Sequence, residues 1–300
     1  LLSTALSAGF SATAHAGDVT VSTAQTAADV QTAINTAIAV PDSDLNLTVA
    51  ATGSITGGSI GLTPSASQGD GAISFVNNGA LGAVDTAGAV TDTAGATFYG
   101  VGNAAAANTF SATNGGLVSG GLNAFGFGGN VGITNSGTVY NGVAASSYGD
   151  VSVASTAAGL VRSGDVSADS ITTATSATVG GITTTDYASG TATVDQQGDV
   201  ANQTDTARGD VTAEALNGAS VTVGGKADEA ATYAGGTVQT VSGTSSATAG
   251  TVVTTTSRSD NILGGGAASV AITQTGDVNS AYASSVGGAS VSVDGSVDGS

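Results

Sequence analysis

The chain has 300 residues, of which 47 are Gly, 2 are Pro and only 9% are charged, while apolar residues reach 40%. That apolar share is too high, and the charge density too low, for a disordered chain, yet no Trp, Met or Cys is present and aromatics reach only 4%, so any core must be a thin one of Val, Ile, Leu and Ala. A net charge of −18 with four basic residues (Arg162, Arg208, Lys226, Arg258) excludes nucleic acid and an anionic membrane surface as partners, and the lack of Cys excludes disulfides and thiolate chemistry.

In chain order, the first segment, residues 1–16, runs from an apolar stretch between Leu1 and Phe10 to the small-residue ending Ala14-His15-Ala16, and reads as the remnant of an export signal. It holds the only histidine, and no later segment is apolar and long enough to cross a membrane as a helix. Residues 17–44 are expected to form an N-terminal cap. Val30, Ile34 and Ile38 recur at helical spacing within Ala27 to Val40, and Pro41 stops the pattern.

Residues 45–300 change period from four to two. Leu45-Leu47-Val49, Ile73-Phe75, Val131-Ile133, Val151-Val153, Val221-Val223, Val270-Ile272 and Val291-Val293 are short strands with one apolar face. Glycine corners separate them, at Gly57-Gly58, Gly115-Gly116, Gly180-Gly181, Gly224-Gly225 and Gly287-Gly288. Degenerate repeats choose a solenoid over a barrel. Gly-Asp-Val occurs at 17–19, 149–151, 164–166, 198–200, 209–211 and 276–278, and Gly-Ala-Ser-Val at 218–221 returns at 288–291. The expected fold is an all-β parallel solenoid, right-handed β-helix-like, with a short N-terminal helical cap; coils of about 20 residues would make a rod about 60–70 Å long.

The passage Val131-Gly132-Ile133-Thr134-Asn135-Ser136-Gly137-Thr138-Val139, with Gly149-Asp150-Val151-Ser152-Val153, resembles the passenger repeats of bacterial autotransporter adhesins. From about Gly164 the Gly-Asp-Val, Gly-Ala-Ser-Val and Tyr-Ala-Ser units also resemble the holdfast-anchor surface proteins of alphaproteobacteria. The resemblance implies a parallel β-helix at a Gram-negative cell surface, acting in attachment or biofilm matrix, and supplies no catalytic residue. The expected partners are surface glycans, other matrix proteins or further copies of the chain.

With His confined to residues 1–16 and Cys absent, triad and transition-metal chemistry are not expected. Gly224-Gly225-Lys226-Ala227 lacks the upstream Gly and the hydroxyl of a phosphate loop. Carboxylate pairs close in sequence are Asp42/Asp44, Asp195/Asp199, Asp205/Asp210 and Asp294/Asp298. They read chiefly as turn formers, so no enzyme is expected; a polysaccharide-processing enzyme would need converging Asp residues beside Arg162, Arg208 or Arg258. Asp294 and Asp298 are the calcium candidates, and no other cofactor is expected. The Thr tracts at 183–185, 191–193 and 254–256 leave an ice-binding face as a further alternative.

Overall fold

The computed structural model describes residues 17–38, 44–62, 72–99, 109–126, 129–171, 173–179, 182–234, 237–249, 252–263, 269–274, 277–285, 289–293 and 296–297. The export-signal segment 1–16 and the residues Asp42, Asp294 and Asp298 lie outside them.

The chain is an all-β parallel solenoid. A ten-stranded parallel sheet, the A face, runs from Asp18–Val21 through Leu45–Val49, Ile73–Asn77, Phe110–Asn114, Val131–Asn135, Val151–Ser155, Ala192–Gln196, Gly218–Val223 and Ser269–Gln274 to Ala289–Val293. A nine-stranded parallel sheet, the C face, runs from Ile60–Leu62 to Ser296–Val297, and a six-stranded B face of very short strands joins the other two. Phe110 pairs with Val131 and Val131 with Val151, so an uninterrupted coil takes about 20 residues.

Period-two alternation places one set of side chains inside. On the A face Leu47, Phe75, Ala112, Ile133, Val153, Val194 and Val221 stack in one buried column, coil upon coil. The C face contributes Leu122, Val143, Val166 and Val211 in one column and Ala124, Ala145, Ala168 and Ala213 in the next. Phe75, Phe98 and Phe110 fill the early coils, with ring centroids 5.1 and 6.2 Å apart along that series.

Every Val of the six Gly-Asp-Val triplets is buried, and in several of them the preceding Asp ties one coil to the next. Asp150 accepts hydrogen bonds from the Thr191 backbone N–H and hydroxyl, each at 2.9 Å; Asp165 accepts from the Asp210 N–H at 3.0 Å and Asp199 from the Lys226 N–H at 3.1 Å. Each bond spans one coil to the next, so the repeated Asp closes an otherwise unpaired corner amide. The corner between A and B faces is a column of glycines, where a Cβ on Gly116 would run into the Gly79 carbonyl oxygen and one on Gly137 into that of Gly116. Backbone packs on backbone there, and any larger residue forces the coils apart.

The helix spans Ala27–Ala37, shorter at its C-terminal end than the pattern to Val40, and ends at Ile38 before the segment containing Pro41. Thr26 is its N-cap, accepting from the Asp29 N–H at 3.2 Å. Val30 and Ile34 are fully buried. The strands Asp18–Val21 and Ala24–Thr26 on its N-terminal side already pair with the A- and B-face strands of the next coil, so the helix lies within the first coil. Its Gln31 amide accepts from the Gly61 N–H and donates to the Gly61 carbonyl, both at 2.8 Å, imitating a neighbouring strand along the edge of the C face.

Three features depart from a uniform rod. Two hairpins, Thr173–Val179 with Ile182–Ala188 and Thr237–Ala249 with Val252–Leu263, leave the ends of C-face strands and join as a four-stranded antiparallel sheet. A smaller hairpin, Ala83–Val84 with Val90–Asp92, leaves the B face. The six-stranded B face gives way at Val200, which bridges to Val161 and donates a hydrogen bond onward to the Lys226 carbonyl at 2.7 Å. From there the B-face position is filled by the first residues of long strands, Lys226-Ala227 under Asp277-Val278 under Ser296-Val297, and Lys226–Ala234 and Asp277–Ser285 run on without a break into the C face. Because these insertions spend chain sideways, ten stacked strands span only about 45 Å, short of the expected length.

Candidate functional site

The outer side of the C face carries a column of residues that no sequence pair suggested. Register places Tyr99 beside Phe125, Phe125 beside Ser146, Ser146 beside Asp169, Asp169 beside Glu214 and Glu214 beside Tyr233, one residue per coil at about 4.8 Å steps. At one end Tyr99, Phe125 and Tyr148 form an aromatic run, with centroids 6.5 and 6.4 Å apart. At the other, Tyr233 and Tyr282 lie 5.8 Å apart, and Tyr99, Tyr233 and Tyr282 are among the few large side chains left exposed. Two carboxylates thus stand between two sets of rings.

A cavity of about 260 Å³ opens around them, lined by Asp169, Ser170, Ile171, Glu214, Ala215, Leu216 and Tyr233. Lost hydration at the pocket wall, with the Glu214 charge adding to it, holds the Asp169 carboxyl above its ordinary 3.8. Lost hydration also raises the Tyr233 phenol, helped by the acidic groups Glu229, Glu214 and Asp210 and by Tyr282. At the other edge of the same strands, Asp210 is raised first by burial and then by the charges of Asp165 and Asp228.

The pairs singled out from sequence do not converge. Asp44 accepts from the Ala72 N–H at 2.8 Å, a corner bond like those of the Gly-Asp-Val repeats, while its companion Asp42 lies outside the described residues. Asp195 sits on the outer A face and accepts from Gln197, whereas Asp199 closes a B-face corner. Asp210 accepts from the Glu229 N–H at 3.2 Å. Asp205, in a loop with φ 53°, pairs with Arg208 at 2.9 Å and Lys226 at 2.6 Å, and hydrogen bonds from these two cations lower its carboxyl to about 2. Lys226 is therefore an ion-pair partner at the Gly224-Gly225 corner.

Among the described residues no group of three or more His, Asp or Glu side chains is arranged to hold a metal ion. Thr183–Thr185 and Thr254–Thr256 lie on the antiparallel sheet and Thr193 on the A face, so the Thr tracts do not form one rank.

A second depression lies on the B face. The hairpin tip at Gly88 packs against the Gln203 side chain, and the Tyr140 hydroxyl donates to the Gly88 carbonyl at 3.0 Å. Beneath this strap is a groove of about 550 Å³ whose floor is the glycine corner and whose wall includes Arg162. Asp85 also lines it, but its carboxylate is committed to the Ala87 and Ala89 N–H groups of its own turn, at 2.9 and 2.8 Å.

The Asp169–Glu214 pair escaped the sequence because a hairpin and a full B-face passage separate two residues that stack only once the coils form. The one available signal was the shared strand pattern Val166-Ser167-Ala168-Asp169 and Val211-Thr212-Ala213-Glu214. Comparison with protein-family models, curated proteins and solved structures finds no match for this chain.

Proposed function

We propose that this chain is an extracellular adhesive solenoid of a bacterial surface or biofilm matrix that holds a glycan along the outer C face. The observation that carries the reading is the row of exposed rings, two carboxylates and further rings, aligned at one residue per coil. Sugar rings stack their C–H faces on aromatic side chains, and carboxylates accept bonds from sugar hydroxyls. An extended glycan advances by about one coil spacing, ~5 Å, per sugar, so each coil meets one unit and weak contacts multiply along the rod. The Asp corners serve the fold, as their carboxylates are bonded to amides of the next coil.

Affinity electrophoresis in gels containing neutral, amino-sugar or acidic polysaccharides tests this. The wild-type chain is expected to be retarded by at least one neutral or amino-sugar polymer, and Tyr233→Ala with Tyr282→Ala to weaken that binding about tenfold or more, at unchanged melting temperature. No retardation in any gel, or an unchanged double variant, refutes the reading.

A second reading, cleavage of the bound glycan, draws on the neighbouring carboxylates. Asp169, whose carboxyl is biased toward its protonated form, would give a proton to the glycosidic oxygen while Glu214, one coil step away, attacks the anomeric carbon; water, deprotonated by Asp169, then releases the sugar from Glu214 and restores both groups. Release of new reducing ends, abolished by Glu214→Gln with binding retained, is the outcome that supports it; bound but uncut polymer removes it.

A further inference from the structure

The three basic residues whose side chains are described, Arg162, Arg208 and Lys226, are used unequally. Arg208 and Lys226 both serve Asp205. Arg162 is half-buried in the B-face groove and, among the described residues, its side chain has neither a carboxylate nor a carbonyl partner. A guanidinium that has lost part of its water without gaining a partner is costly, and in a chain with 22 carboxylates a partner would be easy to supply. The groove around it is roomy enough, at about 550 Å³, for one or two sugar rings, and its walls offer the Ser136 and Thr138 side chains and the Gln203 amide. The Tyr140 hydroxyl, bonded to Gly88, fixes the strap to the floor, so the groove is held open without a ligand.

We propose that this groove binds a carboxylate-bearing sugar, a uronic acid unit of an acidic glycan, with the Arg162 fork on the carboxylate and the hydroxyl and amide side chains on the ring hydroxyls. The planar guanidinium matches a carboxylate through two parallel bonds. Away from such a cation the charge of −18 repels these polymers, which favours recognition in this groove. The site is on a different face from the aromatic row and stands or falls independently of it.

The test is calorimetric titration at about 0.15 M ionic strength with digalacturonate, its neutral counterpart galactobiose, and inorganic phosphate. Digalacturonate is expected to bind at least about tenfold more tightly than either of the others. Arg162→Gln should lose about tenfold or more of that affinity, Arg162→Lys a smaller part, and Gln203→Ala several-fold, while the Tyr233/Tyr282 double variant binds digalacturonate like wild type. Since the Arg162 side chain bonds to no described residue, Arg162→Gln should melt at the wild-type temperature. Absence of digalacturonate binding, equal binding of galactobiose, phosphate binding as tightly as the disaccharide, or an unaffected Arg162→Gln variant would each overturn the proposal.

Discussion

Asp169 shows how a single residue acquires properties from neighbours distant in sequence. Its raised carboxyl pKa has two causes, loss of water at the pocket wall and the Glu214 charge on the adjacent strand. Folding therefore favours its protonated form. The associated stability is fully present below the ordinary carboxylate value and is lost as the pH rises through the raised one. Urea midpoints of wild type and Asp169→Asn, compared across about pH 3 to 7, should show the variant gaining on wild type as pH increases through that window. Parallel profiles would mean that neither burial nor the Glu214 charge shifts this carboxyl on folding.

Among the elements, the ends of the A-face strands hold a polar ladder inside an apolar interior. Asn77 donates to Asn114 at 2.7 Å and Asn114 to Asn135 at 2.9 Å, and their carbonyl oxygens accept from the corner amides of Gly79, Gly116 and Gly137. The ladder stops where Ser155 follows in the column, because its hydroxyl donates to the Gly159 carbonyl at 2.9 Å, leaving the Asn135 side-chain nitrogen buried and unpaired. Ser155→Asn would present an oxygen to Asn135 and keep a donor for the turn. It is expected to stabilise the chain by about 0.5–1.5 kcal/mol, read as a higher denaturant midpoint at unchanged slope. A lower midpoint would show that the longer Thr156–Gly159 turn cannot accommodate an amide.

The whole solenoid is a stack in which each coil touches only its neighbours, so stability is a sum of local terms. Those terms are unequal. The early coils bury Phe75, Phe98 and Phe110 together with Leu45, Leu47 and Leu81, whereas the coils after Val200 bury Ala213, Ala219, Ala227 and Ala230 beside a few Val. A smaller apolar area per coil gives a smaller return for the same backbone order. Amide hydrogen exchange should accordingly be slowest in Ile73–Asn77 and Phe110–Asn114 and at least about tenfold faster in Gly218–Val223. Uniform protection along the A face would indicate one cooperative unit.

Composition and period two, with the degenerate repeats to choose a solenoid over a barrel, were sufficient for the parallel solenoid. The seven strand patterns legible in the sequence all fall on the A face, because only there do large apolar residues occupy both inward positions of most strands. On the C face the second inward position is Ala in coil after coil, as in Leu122-Asn123-Ala124 and Val166-Ser167-Ala168, and Ala marks neither face by itself. B-face strands of two or three residues are too short to show any period. The Asp corners and the N-terminal helix were legible because turn chemistry and helical spacing are local. The antiparallel hairpins, the merging of B- and C-face strands after Val200, the Asp169–Glu214 pair and the groove around Arg162 depend on which coil lies over which. The variable insertions between coils set that register, and only the pairing of strands in three dimensions decides it.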